Sequence, residues 1–369
     1  MKILIISRPF VFHGGVERAT LGLVEALVAH GHAVELLTPP GQEPIRGVVK
    51  RTLALPPMLP SAARALALAI AARFAVRGGV WDIVQSHERT LRQDVYRAGE
   101  GCHLGYLAAL GRTRGGFARH RVVIGLERRV FSATPQIVAI SEAGRMEIAR
   151  LYGVSDARLT VVYNGVDLER FHPRHRSRTR EATRADAGVP TDAWLALFVG
   201  SGFERKGLAT AVEGFARFGD RASRLIVLGR GNTRPYRQLA ARLGVEARVH
   251  WLAPRPDVER WYAAADALVL PTRYEPFGNV HLEALASGLP VITTTRAGGA
   301  ETLSARSGVV IEPGDARAVA EALERIRAGV PGEWRRAARA AAEPFTYARQ
   351  VAGFERVWAR PRAAKGDIS

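Results

Sequence analysis

The sequence predicts an α/β protein built from two doubly wound, Rossmann-like parallel sheets. Three observations predict it. Short β-rich apolar runs alternate with helical patterns along most of the chain. A length of 369 residues suits two domains at roughly 150 residues each. Hydrophobic residues at 47% and charged residues at 24% give an ordinary globular balance, which excludes a disordered or fibrous chain.

In the first half, strands are expected at 2–7, 33–38, 81–86, 136–140 and 160–163. The first holds the run Ile3 to Ile6, apolar at every position, as a strand buried on both faces must be. Val16, Ala19, Leu23, Val24, Leu27 and Val28 fall at helical spacing and predict a helix over 16–30. Residues 62–76 predict an Ala-rich amphipathic helix, interrupted by Arg64 and Arg73 and too short to span a membrane. Residues 174–186, dense in arginine and acid and without apolar periodicity, suggest a linker or surface crossover after the turn Asn164-Gly165-Val166-Asp167. In the second half, strands are expected at 194–199, 224–228, 249–252, 267–270, 290–294 and 309–311. Helical patterns at 207–218, 235–243, 258–265, 279–286 and 316–328 lie between and after them, so the strands should run parallel. A last helix at 346–360 carries Val351, Phe354, Val357 and Trp358. The expected domains are 1–165, completed by the terminal helix at about 345–369, and 166–344.

The formal net charge is +18, and only four of the 53 basic residues are lysine: Lys2, Lys50, Lys206 and Lys365. An Ala- and Arg-rich chain is what a G+C-rich coding sequence produces. The charge still draws a protein to polyanions, whether nucleic acid, an anionic membrane or a phosphorylated glycan, and composition does not choose among them. The single cysteine, Cys102, excludes a disulfide scaffold. No signal peptide and no apolar run of about 18 residues is present, so a cytoplasmic protein is expected, soluble or held at the membrane surface.

In open α/β sheets ligands bind beyond the carboxyl ends of strands, and two such domains imply a cleft between them. Three loops at such ends stand out. After the first strand, Gly14-Gly15 opens a helix whose free N–H groups suit a phosphate, although the pair also serves as a plain tight turn. It lacks the GxGxxG spacing of dinucleotide binders. After 194–199 comes Gly200-Ser201-Gly202-Phe203-Glu204-Arg205-Lys206-Gly207. Leu208 stands where a P-loop needs lysine, so what remains is the pair Arg205-Lys206, a planar fork beside a point charge that together suit a diphosphate. After 267–270, Glu275 and Glu283 stand in E-x7-E spacing around Pro276-Phe277-Gly278-Asn279. Glu283 falls on a largely apolar helix face, where a carboxylate needs a partner; a ribose diol would serve. There is no D-x-D, no H-E-x-x-H and no G-x-S-x-G, so a metal site and serine hydrolysis are not expected.

Gly14-Gly15 with Glu17-Arg18, Asn164-Gly165-Val166-Asp167, Arg205-Lys206-Gly207 and Glu275-Pro276-Phe277-Gly278 with Glu283-Ala284 together resemble a family 4 retaining glycosyltransferase of the GT-B fold. The stretches 94–103, 199–207 and 257–271 are similar to the lipopolysaccharide core glucosyltransferases of that family, although those carry aspartate where Glu100 stands and tyrosine where His103 stands. The resemblance implies a metal-independent transfer of a hexose, by default glucose from UDP-glucose, to a membrane-borne glycan such as a lipopolysaccharide core heptose, with no further cofactor. It implies that Gly14 and Gly15, and Gly202, line the donor. Arg205 and Lys206 would neutralise the departing diphosphate. Phe277, Gly278 and Asn279 would offer backbone N–H groups. Glu275 would hold the transferred sugar, and Glu283 the ribose. Glu100 or His103 would face sugar and acceptor from the first domain.

Residues 106–131 carry Arg112, Arg114, Arg119, Arg121, Arg128 and Arg129 against Glu127 alone, with Tyr106, Leu107, Leu110, Phe117 and Phe131 interleaved. Such a stretch suits peripheral contact with anionic lipid. Other readings are a family 4 transferase for another surface glycan or glycolipid, with an N-acetylglucosamine, galactose or mannose donor, a sugar-nucleotide epimerase, or a basic nucleic-acid-binding protein. The last has no helix-turn-helix, RNA-binding or zinc-finger signature, so nucleic acid is not an expected partner.

Overall fold

The computed structural model describes residues 1–10, 15–56, 58–112 and 118–360, with backbone alone at 15 and 16. The chain forms two compact units, Met1–Gly165 with Tyr347–Ser369, and Val166–Thr346.

The first unit begins with β1 (Lys2–Ile6), α1 (Gly15–Ala29), β2 (Ala33–Thr38), β3 (Val48–Thr52), α2 (Ser61–Ala75), β4 (Ile83–Ser86) and β5 (Val95–Arg97). It continues with α3 (His103–Ala109), α4 (Ala118–Ala133), β6 (Gln136–Ala139), α5 (Glu142–Tyr152) and β7 (Leu159–Val161). Its seven strands are all parallel, in the order β3-β2-β1-β4-β5-β6-β7. The run Ile3 to Ile6 is fully buried because strand alternation feeds two cores. Ile3 and Ile5 pack with Leu23, Val24 and Leu27 of α1, while Leu4 and Ile6 pack with Ala72 and Val76 at the end of α2.

The second unit comprises α6 (His175–Asp186), β8 (Leu195–Val199), α7 (Leu208–Arg217), β9 (Arg224–Leu228), α8 (Arg234–Arg242), β10 (Val249–Leu252) and α9 (Val258–Ala264). Then come β11 (Ala267–Val269), α10 (Asn279–Ala286), β12 (Val291–Thr294), β13 (Gly308–Ile311), α11 (Ala316–Ala328) and α12 (Pro331–Ala342). Its six strands are also all parallel, in the order β10-β9-β8-β11-β12-β13. The chain then returns to the first unit as α13 (Tyr347–Trp358), whose Val351, Phe354 and Val357 join the core on the Ile3 side.

The helices α3, α4, α5 and α12 have no counterpart in the sequence reading, and three further elements differ from it. β3 is a mostly exposed edge strand of sequence VVKRT, with no apolar run to betray it. β5 is three residues long, and its buried Arg97 hides it among polar neighbours. The expected linker at 174–186 is the helix α6 packed on α9. It has arginine where an ordinary amphipathic helix has leucine: Arg176, Arg180 and Arg184 are spaced four apart, and all three reach Asp266.

Candidate active site

The order of each sheet reverses once, between β1 and β4 in the first unit and between β8 and β11 in the second. Loops at such a reversal diverge and leave room for a ligand.

In the second unit the loops after β8 and β11 are tied together. The Arg205 carbonyl accepts from Arg273 N at 2.8 Å and from Thr272 Oγ1 at 2.9 Å. Arg205 Nη1 donates to the Tyr274 carbonyl at 2.9 Å and to Glu275 Oε2 at 2.8 Å, and Lys206 Nζ donates to the same oxygen at 2.7 Å. Glu275 Oε1 receives no hydrogen bond from the described residues. The backbone around Glu275 is pinned to the loop after β12: Glu275 N donates to Arg296 O, Gly298 N to Glu275 O and Gly299 N to Phe277 O. Burial by itself would raise the Glu275 carboxyl, but Lys206 and then Arg205 hold it down at about 2. Burial pulls the Lys206 ammonium down, and Glu275 opposes this.

Two glycines make this packing possible. Gly200 has φ +141°, and a Cβ there would lie 2.5 Å from Cδ and Cε of Lys206, so the lysine stem needs a glycine beneath it. Gly278, at φ +87°, caps α10, and its Cβ would lie 2.5 Å from His281 Nδ1. His281 is fully buried between Gly278 O and Thr293 Oγ1, each at 2.8 Å, and burial holds it neutral, down to about 4. It braces the Glu275 loop, and only its i, i+3 spacing from Gly278 marks it in the sequence. Phe277 anchors the loop with a buried ring, and Asn279 opens α10. Gly202 turns the loop after β8 at φ +76°. Glu283 is buried on α10 and has the partner its position demands: Tyr262 Oη donates to Oε2 at 2.8 Å.

The first unit holds a second charged cluster beyond β1, β4 and β5. Arg8 donates from Nε to Glu88 at 2.8 Å and from Nη2 to Glu100 Oε1 at 2.6 Å. Arg89 donates to Glu100 Oε2 at 2.7 Å and to Glu127 Oε1 at 2.8 Å. Both oxygens of Glu100 are therefore occupied. Burial would raise its carboxyl, and Arg8 and Arg89 lower it well below the ordinary range. Arg8, Glu17, His87, Arg97, Gly99 and Glu100 line a small pocket here. Glu127, fully buried, also accepts from the backbone N–H of His103 and from Tyr152 Oη. His103 opens α3 with Nε2 2.9 Å from His120 Nδ1; burial, with Arg89 and His120 behind it, pushes its ring down to about 4. Sequence reasoning missed Arg8, Arg89 and Glu127. The two arginines stand just after strands, where a search of strand ends would find them. Glu127 looked like the lone acid of a basic stretch. Gly15 opens α1, and Gly14 lies outside the described residues.

The basic stretch requires a correction. Arg112, Arg119, Arg121, Arg128 and Arg129 are exposed, but Leu107, Leu110 and Phe131 are buried in the first unit's core. A helix that packs its apolar side inward has arginine left for its outer side. Arg114 and Phe117 lie outside the described residues.

The chain matches two protein families: Glycosyltransferase Family 4 over residues 13–170 and Glycosyl transferases group 1 over residues 194–328. It is 33% identical over 261 residues to a "Probable transglycosylase" of Burkholderia thailandensis, covering 70% of this chain and 68% of that one. It is 30% identical over 243 residues to the lipopolysaccharide glucosyltransferase WaaG of Escherichia coli K12, covering 63% and 64%. The crystal structure of a WaaG glycosyltransferase superposes with a TM-score of 0.81 at 25% identity, over 96% of this chain and 98% of that one. With paired parallel sheets and charged loops at the reversal of each, this chain belongs to the group 1, family 4 glycosyltransferases of GT-B fold.

Proposed function

We propose that the protein is a retaining, metal-independent hexosyltransferase that moves glucose from UDP-glucose to a phosphorylated, membrane-borne glycan, with a lipopolysaccharide core heptose as the default acceptor. One observation carries the donor half: Arg205 and Lys206 converge on a single oxygen of Glu275 at the sheet reversal of the second unit. Two cations held on a carboxylate are pre-positioned for a diphosphate, because their placement is fixed before any substrate arrives. As the sugar–phosphate bond breaks, charge builds on the leaving diphosphate. Arg205 and Lys206 stabilise it, a role that in other transferases falls to a metal. Glu275 keeps Oε1 available to a hydroxyl of the transferred sugar, and Glu283 takes the ribose hydroxyls. The N-terminus of α10, capped by Gly278, adds N–H groups for phosphate. His103 serves the acceptor side, and Glu100 holds Arg8 and Arg89 in place beside it. Burial and then Arg89 hold the His103 ring down at about 4, so it is neutral at physiological pH and serves through hydrogen bonding rather than as a base.

The acceptor half rests on the likeness to WaaG and on the surface of the first unit. α2 exposes Leu66, Ile70 and Phe74 at four-residue spacing, with Arg73 and Arg77 beside them, and α2 packs against α4 with its exposed arginines. Apolar side chains rimmed by arginine suit the headgroup region of an anionic membrane. No helix of the described residues is long and apolar enough to cross one.

The test is a panel of UDP-glucose, UDP-N-acetylglucosamine, UDP-galactose and GDP-mannose, read by thermal shift and by slow donor hydrolysis with and without a chelator. We expect UDP-glucose to give the largest shift and hydrolysis to persist in chelator. A protein that none of the four stabilises would overturn the donor reading. Activity lost in chelator and restored by magnesium would overturn metal independence.

A further inference from the structure

The second unit has another charged cluster, at the amino ends of its strands and so opposite the Glu275 end. Trp194, Asp266 and Pro290 stand immediately before β8, β11 and β12. Asp266 faces four arginines: Arg176 and Arg184 at 2.8 Å, Arg180 at 3.2 Å and Arg335 at 3.4 Å. Four guanidiniums on one carboxylate leave a local charge of +3. Carbonyls at the end of α9 offset part of it. Arg176 donates to Ala263 O and Ala265 O, and Arg180 to Ala264 O. A helix C-terminus supplies only about half a negative charge.

The four arginines are not equally committed. Arg184 is fully buried, with donors on Ala264, Pro190, Thr191 and Ala193 carbonyls as well as on Asp266. Arg335 is its opposite. Its side chain is 23% exposed, and its one ion pair among the described residues is the 3.4 Å approach to Asp266. Its remaining donors open onto the adjoining cavity, so an anion entering there would meet them without breaking an existing hydrogen bond. Beside it lies a cavity of about 360 Å³ lined by Arg176, Arg180, Arg335, Trp194 and Trp334. Asp220, also on its wall, is taken by Arg327 and by the Ala222 N–H. Asp192 is exposed at the rim.

We propose that this cavity binds a phosphate-bearing small molecule, with Arg335, Arg180 and Arg176 on the phosphate and Trp334 beside the remainder. The volume suits a small ligand, and a planar fork of donors matches phosphate oxygens two at a time. Burial lowers Arg176 to about 10 against the pull of Asp266, and Arg335 and Arg180 push the same way. A dianion among the three relieves that repulsion. The site is separate from the donor diphosphate loops, so it stands whether or not the donor assignment does.

Calorimetric titration of the full chain with inorganic phosphate, and in parallel with glucose 6-phosphate, tests it. We expect saturable binding with a dissociation constant below about 1 mM. Arg335→Gln should weaken it at least 10-fold, Arg335→Lys only a few-fold, and Lys206→Ala, at the donor loops, not at all. Tighter binding of glucose 6-phosphate identifies a phosphate ester as the ligand; equal binding identifies free phosphate. Either result supports the site. If Arg335→Gln fails to fold, phosphate-dependent tryptophan fluorescence that is present in the wild type and lost in Trp334→Phe serves instead. No binding of either probe, or binding lost in Lys206→Ala and kept in Arg335→Gln, overturns the proposal.

Discussion

Glu275 and Glu100 are each a carboxylate held by two cations at the reversal point of a parallel sheet, and they are held differently. Both cations on Glu275 share one oxygen and leave the other without a partner among the described residues. Both oxygens of Glu100 are taken, and the arginines that take them also bind Glu88 and Glu127. The first arrangement keeps an acceptor in reserve beside concentrated positive charge. The second is a closed lattice of Arg8 and Arg89 against Glu88, Glu100 and Glu127, in which the acids outnumber the two bases. Closed lattices position a backbone; open ones take a ligand. The second unit's cluster should therefore govern turnover, and the first unit's cluster should govern stability.

The sharpest way to break this contrast is to neutralise one acid in each. Glu275→Gln should lower kcat by about 10²–10³, because the amide neither anchors two cations nor accepts the sugar hydroxyl as strongly. Glu127→Gln should cost stability instead, by about 3–5 kcal/mol, since it strips a fully buried charge from Arg89 and from the His103 N–H. Steady-state kinetics beside urea denaturation would separate the two. If Glu275→Gln kept wild-type turnover while a stable Glu127→Gln lost it, the assignments would be reversed.

A smaller effect concerns His281, which braces the open cluster. Its folded-state value of about 4 lies below the ordinary 6.5. Between those limits the unfolded chain binds a proton that the folded chain refuses, so stability falls as pH drops from about 6.5 toward 4. Across that window the loss from this residue is about 3 kcal/mol, and above pH 6.5 it contributes none. Urea midpoints from pH 7.5 to 4.5 should show a shallower slope for His281→Gln than for the wild type. Equal slopes would place the ring in contact with water and remove it as the brace of the Glu275 loop.

Residues in motif-bearing loops after plainly apolar strands were legible, even with partners 70 positions away; residues inside helices whose role depends on a distant partner were not. Arg205, Lys206, Glu275 and Glu283 follow strands whose apolar runs are plain, so their common location could be read from strand ends. α1 and β8 to β12 were legible for the same reason, because period and burial agree. Glu127 is a hub only because α4 brings it to Arg89, 38 positions away, and to Tyr152, 25 positions away. No local pattern encodes that meeting. α6 was misread because arginine does the work of an apolar residue there: its long stem packs while its head finds Asp266 and the carbonyls of α9. The basic stretch misled in the opposite direction, since its apolar members belong to the core.

That last point gives the smallest and most divisible prediction. If α4 alone met the membrane, attraction would be mainly electrostatic, because its outward side carries arginine while Ile124, Leu126, Val130 and Phe131 are buried. Each arginine near an anionic surface contributes about 1 kcal/mol, screened by salt. The α2 stripe adds an apolar part that salt does not screen: Phe74 is 57% exposed, with Arg77 stacked over its ring at 4.7 Å. The two parts therefore separate by ionic strength. The double variant Arg128→Glu/Arg129→Glu should lose most binding to anionic vesicles at low salt. Phe74→Ser should lose a similar amount at low and high salt alike. Vesicle co-sedimentation at two salt concentrations reads both. Binding that high salt abolishes in the wild type, with Phe74→Ser no weaker at low salt, would leave α4 as the whole contact and make the apolar stripe of α2 irrelevant to it.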